Sequence, residues 1–311
     1  MSGWHTIESD AGVFTSLIED LGVEDVQFEE LTSLDPESLR QHGTVYGVIF
    51  LFKVNVTEPH RDTPQDGVFD HGASDRMFFA SQTIQNACGT QALLGVLLNQ
   101  DQHINVGSGL KDFKDFTSAF PPEFRGETLS NSELIRDTHN SFARSSPFIS
   151  EMQRAATEED DLYHFIAYTP VHDTLYEIDG LQAAPISHGP CTPSEFPDKI
   201  VPVIQRRMGR YPPSEIKFNL LTLVKDPRIR AREIGDEETL EREDEKRKRW
   251  LWENTLRRHN FLGFVGEVLQ LVAREKRTGP GHEGFKHWIE DAKSKTAERV
   301  KKGRGEVDEV N

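Results

Sequence analysis

The stretch 81–99 constrains the fold of this chain more than any other part of its sequence. A polar segment leads through Cys88 into a run that is apolar on nearly all sides if it is helical. Such a helix is stable only when it is buried in a core, so the other elements must pack around it. Asn86 is the expected N-cap of this helix, which places Cys88 in the first turn. Unpaired backbone N–H groups and the helix dipole favour a negative charge there, and therefore the nucleophilic thiolate.

Gln82 precedes Cys88 by six residues and is the expected second member of a reactive site. Its side-chain amide can reach over the start of the helix and, together with the backbone N–H of Cys88, donate to a developing oxyanion. The alternative interpretation is an inert core cysteine, because free cysteine is among the most buried residue types. The reactive interpretation therefore requires a general base elsewhere in the chain.

A β-hairpin predicted over residues 163–180 supplies that base. With a two-residue turn at His172 and Asp173, alternation of side chains places His164 and Asp179 as diagonal neighbours on one face of the hairpin. At that separation an imidazole and a carboxylate can share a hydrogen bond, which selects the tautomer of the histidine and stabilises its imidazolium form.

Each of these residues has an ordinary structural interpretation when taken alone. His164 then becomes a half-exposed strand histidine, and Asp179 an aspartate near a turn. Combined with Cys88 and Gln82, they form the constellation of papain-like cysteine hydrolases, which is the interpretation that we favour.

The composition excludes several other classes of protein. The 311-residue chain carries a net charge of −16, so it is a poor candidate for binding nucleic acid through phosphates. With two cysteines, Cys88 and Cys191, and no secretory signal at its start, we expect an intracellular protein without a disulfide framework. No apolar run reaches the roughly 20 residues that a membrane helix needs. No cluster of cysteine and histidine has metal-ligand spacing, so we expect neither a metal nor another cofactor.

Periodicity and turn residues predict further elements on both sides of the central stretch. Polar segments at 57–76 and 143–161 are predicted loops. The other predictions are a helix within 6–21 capped by Ser9 or Asp10, a strand at 45–56, helices at 112–120, 130–142 and 201–208, and a strand at 218–224.

The composition changes after residue 226. Residues 230–258 are dense in both signs of charge and predict an exposed helix. Residues 261–272 carry an apolar stripe at helical spacing, and the last twenty residues are charged and predicted to be disordered. Two short amphipathic helices bury little surface by themselves, so they either fold back on the rest of the chain or bind a partner.

Several motifs outside the four reactive residues allow a more specific interpretation. They lie at 3–4, 6–10, 82–90, 140–143, 164–165, 175–181, 218–220 and 258–262. In these motifs the sequence resembles ubiquitin C-terminal hydrolases of the papain-like type, and within them the proteasome-associated subfamily that has a C-terminal extension.

The resemblance implies an α+β fold with a central antiparallel sheet flanked by helices, followed by a C-terminal helical extension. Residues 1–225 are the implied catalytic domain, 226–258 a charged helical linker, and 259–311 a partner-docking helical tail with a disordered end. The segment at 143–161 matches the loop that crosses over the active site in this family.

By the same resemblance, each reactive residue takes a role. Cys88 is the implied nucleophile, and His164 is the general base and acid. Asp179 orients His164, and Gln82 is the oxyanion donor.

The implied activity is that of a cysteine-type deubiquitinase, which hydrolyses the bond after the C-terminal glycine of ubiquitin through an acyl-enzyme on Cys88. The implied partners are ubiquitin as substrate and, for the tail, the DEUBAD domain of the proteasomal ubiquitin receptor. No nucleic acid or membrane partner is implied, and the implied location is the cytoplasm or nucleus. Two alternatives stay open. One is a ubiquitin-binding adaptor in which catalysis is dispensable, and the other is a cysteine hydrolase or acyltransferase of different specificity.

Overall fold

The computed structural model describes residues 3–53, 64–84, 86–143, 163–212, 215, 217–259, 261–278 and 287–296. Contacts between residues divide the chain after Arg258, so the described residues before and after that point are treated as two units. The end of the predicted strand at 54–56, part of the first predicted loop and most of the second lie outside the described residues.

The first unit is built on an antiparallel sheet. Its strands are rich in β-branched and aromatic residues, which fit a pleated surface. They are β1 (Val26–Glu30), β2 (Val45–Lys53), β3 (Val68–Phe69), β4 (Tyr163–Val171), β5 (Thr174–Ile178), β6 (Ile186–Pro190) and β7 (Asn219–Lys225).

The described strands form one seven-stranded sheet in the order β1-β7-β2-β4-β5-β6-β3. All neighbouring pairs are antiparallel. Helices cover both faces of this sheet. They are α1 (Ala11–Asp20), α2 (Pro36–Gln41), α3 (Cys88–Leu97), α4 (Gly107–Thr117), α5 (Pro122–Asn131), α6 (Glu133–Ser141), α7 (Phe196–Met208), α8 (Pro227–Ile234) and α9 (Glu237–Arg258).

Each face of the sheet has its own hydrophobic core. On β4, Phe165 and Ala167 point to the core that contains α1 and α3, whereas Ile166 and Tyr168 point to the core that contains α7. All residues of α3 after Cys88 are buried, as its apolar composition predicts. The α+β architecture with a central antiparallel sheet is therefore confirmed.

Side-chain caps determine where α1 and α6 begin. Asp10 is the N-cap of α1 and accepts from the backbone N–H of Val13 at 2.9 Å, which selects one of the two expected caps. The helix predicted at 130–142 is confirmed over Glu133–Ser141 as α6, but it begins later than predicted. The hydroxyl of Ser132 caps α6, and the extended backbone of Ser132 separates α6 from α5.

The charged segment after β7 forms α9, which packs against α1. On α9, Trp250 lies so close to α1 that a Cβ at Gly12 would be 2.6 Å from its Cγ atom. Asn254 is buried, and its amide donates to the carbonyl oxygen of Gly12 at 3.0 Å and to Ser16 Oγ at 2.9 Å. The prediction of an exposed helix is thus wrong for one face of α9, because that face buries polar groups that find partners on α1.

The second unit contains α10 (Leu262–Thr278) and a further helix at 287–296. The apolar stripe predicted at 261–272 lies on α10, where Phe264 is 67% and Leu271 is 62% exposed. Within the described ranges, no helix combines the length and the apolar character needed to cross a membrane.

Candidate active site

Cys88 is the first residue of α3 and is partly buried. The expected N-cap is wrong: Ala87 precedes the helix and no side chain caps it. Asn86 instead has a left-handed backbone with φ of +68°, a conformation that asparagine tolerates better than most residues. Its amide donates to the carbonyl oxygen of Trp4 at 3.3 Å. The backbone N–H groups in the first turn of a helix have no intrahelical partners, so those of α3 can stabilise an anion at Cys88.

The hairpin has the predicted register. Tyr168 pairs with Glu177, and the two turn residues, His172 and Asp173, have φ of +47° and +56°. Positive φ at both positions identifies a type I′ turn, whose twist matches that of the strands. The register of β4 and β5 is therefore confirmed.

His164 and Asp179 meet as the register predicts. His164 Nε2 lies 2.7 Å from Asp179 Oδ1, and both side chains are buried. The backbone N–H of Leu181 donates to the same carboxylate oxygen at 3.0 Å. Because Nε2 is engaged by Asp179, Nδ1 is the ring nitrogen left for a thiol.

The electrostatics of the three residues favour a charged pair. Burial raises the pKa of the Cys88 thiol, but the hydrogen bond and positive charge of His164 bring it below its ordinary value. Burial lowers the pKa of His164, but the negative charge of Asp179 and its hydrogen bond raise it well above the usual range. Burial also opposes the ionisation of Asp179, yet His164 lowers its pKa to about 2. The arrangement supports a thiolate beside an imidazolium.

Gln82 lies next to the loop that carries Asp179. Its backbone N–H donates to the carbonyl oxygen of Gly180 at 2.7 Å. A Cβ at Gly180 would be 2.1 Å from Gln91 Nε2 of α3, so a larger residue at this position would have to displace the Gln91 side chain. The four residues selected from the sequence therefore belong to three segments that converge at the start of α3.

His139 is a buried residue of this region that the sequence did not reveal. Its Nδ1 lies 2.7 Å from Oγ1 of Thr90, in the first turn of α3, and its Nε2 lies 2.6 Å from the carbonyl oxygen of His5. The neighbouring Asn140 donates to the carbonyl oxygen of Gly3 at 3.0 Å. The only signal in the sequence was that residues 3–4 and 140–143 both belong to the resemblance, and no local pattern marks His139 itself.

Comparison with known proteins agrees with this geometry. The family model for ubiquitin carboxyl-terminal hydrolase, family 1, matches residues 4–209, and a second model for ubiquitin carboxyl-terminal hydrolases matches residues 235–277. Ubiquitin carboxyl-terminal hydrolase 2 of Schizosaccharomyces pombe is 55% identical over 279 residues, which cover 88% of this chain and 92% of that protein.

Two further relatives show the same likeness. The Caenorhabditis elegans ubiquitin carboxyl-terminal hydrolase ubh-4 is 38% identical and is matched over 88% of both chains. The crystal structure of the UCH37 catalytic domain of Trichinella spiralis, bound to ubiquitin vinyl methyl ester, is 36% identical. It aligns with a TM-score of 0.60 over 72% of this chain and 97% of that one. On these matches, the chain belongs to family 1 of the ubiquitin carboxyl-terminal hydrolases.

Proposed function

We propose that this cysteine-type deubiquitinase uses Cys88, His164, Asp179 and Gln82 to hydrolyse the bond after the C-terminal glycine of ubiquitin. The observation that carries the proposal is the 2.7 Å contact between His164 Nε2 and Asp179 Oδ1. Burial raises the pKa of the Cys88 thiol, but His164 brings that pKa below its ordinary value. Nucleophile, base and orienting group then stand in the order that a cysteine hydrolase requires.

The reaction follows from these positions. The thiolate of Cys88 attacks the carbonyl carbon of the terminal glycine of ubiquitin, and negative charge develops on the carbonyl oxygen. The Gln82 amide and the Cys88 backbone N–H donate to that oxygen. His164 protonates the departing amine, which leaves an acyl-enzyme on Cys88. His164 then takes a proton from water, and the resulting hydroxide attacks the acyl carbon. The bond between that carbon and Sγ of Cys88 breaks, which releases ubiquitin with a free carboxylate and restores the thiolate.

The same proposal divides the chain by function. Residues 1–225 carry catalysis, residues 226–258 are a helical linker, and residues 259–311 bind a partner. The contacts of α9 with α1 hold the linker against the catalytic part. The exposed apolar residues of α10, including Phe264 and Leu271, support docking by the tail.

The partner that we propose for the tail is the DEUBAD domain of the proteasomal ubiquitin receptor. A helix with exposed apolar residues suits a helical partner that offers a complementary groove. The enzyme would then act at the proteasome, in the cytoplasm, the nucleus or both.

Hydrolysis of a fluorogenic ubiquitin C-terminal amide tests the catalytic proposal. The full chain should cleave this substrate, and Cys88→Ala should abolish cleavage. Gln82→Ala should lower kcat by about 10²–10³-fold, which is typical for the loss of one oxyanion donor. A full chain that binds ubiquitin but stays inactive, with or without the receptor domain, would favour the adaptor interpretation instead.

Calorimetric titration with the isolated DEUBAD domain tests the docking proposal. Phe264→Asp should weaken binding by at least about tenfold, since it places a charge on the apolar face of α10. Gln270→Asp introduces the same residue on the same helix, outside the apolar stripe, and should leave the affinity nearly unchanged. Equal effects of the two variants would contradict docking through this face.

A further inference from the structure

An ion pair between the buried Glu177 and the partly buried Arg207 lies beside the His164–Asp179 pair and has no part in the reaction steps above. Glu177 of β5 is 4% exposed, and its Oε1 accepts from Arg207 Nη1 of α7 at 2.5 Å. We propose that Arg207, held in place by Glu177, is a positioning residue for His164 and Asp179. This inference rests on the proposed function, because it assigns a task to residues that act through the catalytic pair.

The first link between the ion pair and the site runs through Phe52. The guanidinium carbon of Arg207 lies 4.4 Å from the centroid of the Phe52 ring. On the other side, the Phe52 and His164 rings meet at 87° with their centroids 5.9 Å apart. Phe52 is also the direct partner of His164 in the register of β2 and β4. The stacked guanidinium therefore restricts the Phe52 ring, and that ring in turn restricts the plane of the imidazole.

The second link is electrostatic. Glu177 and Asp179 are two residues apart, so their side chains leave the chain on the same side. Two ionised carboxylates so placed repel, and each raises the pKa of the other. Arg207 offsets this repulsion because its positive charge is adjacent to Glu177 and also acts on Asp179. Without Arg207, the negative charge of Glu177 would raise the pKa of Asp179. Glu177 would then oppose the ionised state of Asp179 that His164 requires.

The other titratable neighbours of Glu177 cannot replace this charge. Tyr168 of β4 donates its hydroxyl to Glu177 Oε2 at 2.9 Å and is uncharged in that role. His188 of β6 has its Nε2 3.3 Å from the same oxygen, and its Nδ1 lies 3.8 Å from Asp66. Neither neighbour carries the fixed charge of an arginine, which stays protonated throughout the working range. Arg207 is thus the permanent positive charge next to Glu177.

The geometry also explains why arginine is needed. A lysine supplies the same charge but has no planar group to stack on Phe52. The charge and the planar face of Arg207 therefore perform separate tasks: one acts on Asp179 and the other on the His164 ring. Different substitutions separate these two tasks.

Three variants test the proposal in the full chain: Arg207→Lys, Arg207→Met, and Arg207→Met combined with Glu177→Gln. For each, kcat and KM for the ubiquitin C-terminal amide are measured across pH, together with the thermal unfolding midpoint. Arg207→Lys should lower kcat by about three- to tenfold at unchanged KM, with the acidic limb of the pH profile in place.

Arg207→Met should lower kcat further, by about 10- to 100-fold. It should also move the acidic limb to higher pH by up to about one unit, because the unpaired negative charge of Glu177 then disfavours the Cys88 thiolate whose formation sets that limb. The double variant removes both charges. It should return the limb toward its wild-type position, while kcat stays low because the stacking on Phe52 is still lost. A purely structural contribution would change the unfolding midpoint without moving the limb.

Two results overturn the inference. One is a wild-type kcat and pH profile in Arg207→Met and Arg207→Lys. The other is an acidic limb that shifts equally in the single and the double variant, since it then does not depend on Glu177. Wild-type activity in the same assay separates this failure from that of the proposed function. An inactive wild-type chain would refute the proposed function, whereas an active one with insensitive Arg207 variants refutes only the role of Arg207.

Discussion

His139 Nδ1 lies 2.7 Å from Thr90 Oγ1, and this buried contact ties α6 to the first turn of α3. The other ring nitrogen faces the carbonyl oxygen of His5, which can only accept, so Nε2 carries the proton and Nδ1 accepts from the hydroxyl of Thr90. The edge of the ring packs on Trp4, with centroids 4.8 Å apart. The start of α3 is thus held by a neutral histidine with a defined tautomer.

This arrangement predicts a loss of stability in mild acid. Burial lowers the pKa of His139 from 6.5 to about 4. Between these values the unfolded chain binds more protons than the folded one, so the free energy of unfolding falls as the pH decreases through that window. The contribution of His139 should be about 3 kcal/mol, measured by urea unfolding above and inside the window.

His139→Gln is the matched control, because an amide preserves a donor and an acceptor but does not titrate. It should reduce the pH dependence between pH 6.5 and about 4. A pH dependence identical to that of the wild-type chain would show that His139 is not the group that titrates.

Asp179→Asn should change the pH profile as well as the rate. The amide cannot stabilise the imidazolium of His164, so kcat should fall by about 10²–10⁴-fold. The basic limb should move to lower pH, because the charge of Asp179 raises the pKa of His164 above its ordinary value despite burial. Steady-state hydrolysis of the ubiquitin amide across pH measures both effects. A reduced rate with the basic limb in place would indicate that Asp179 contributes only by position.

The turn of the β4–β5 hairpin offers a stabilising substitution. His172 and Asp173 both have positive φ, where Asn and Gly are the preferred residues of a type I′ turn. Both side chains are exposed. His172→Asn combined with Asp173→Gly should therefore raise the free energy of unfolding by about 1 kcal/mol, seen as a higher Tm. Hydrolytic activity should be unchanged, and a lower Tm would contradict the turn geometry.

Asn254→Ala should weaken the attachment of α9 to α1. The substitution leaves the Gly12 carbonyl oxygen and the Ser16 hydroxyl without the partner that the structure gives them, at a cost of about 1–3 kcal/mol. Leu251→Ala is the matched control on the same helix, because Leu251 is 68% exposed and should cost less than about 0.5 kcal/mol. Urea unfolding of the full chain compares them, and equal losses would mean that Asn254 contributes no specific contact.

Much of the candidate site was predictable because local rules determine it. Alternation along a strand and a two-residue turn leave one register for the hairpin, which brings His164 and Asp179 together. The burial of α3 followed in the same way from its apolar surface.

Other features depended on residues far apart in the chain. Asn86 was expected to cap α3, but its amide contacts the carbonyl oxygen of Trp4, 82 residues away in sequence. The helix predicted from residue 130 instead begins at Glu133, because the cap is Ser132, a residue that the hydrophobic period did not single out.

By itself, then, the sequence determined the elements whose hydrophobic period or turn length admits one solution: the buried α3 with Cys88 at its start, and the hairpin carrying His164 and Asp179. Only the tertiary structure decided which polar groups become buried partners, as for His139 with Thr90 and Glu177 with Arg207. The physical reason is that a polar side chain is stable both in water and in a satisfied buried pair. Its own sequence neighbourhood does not distinguish the two, and only the approach of a distant partner does.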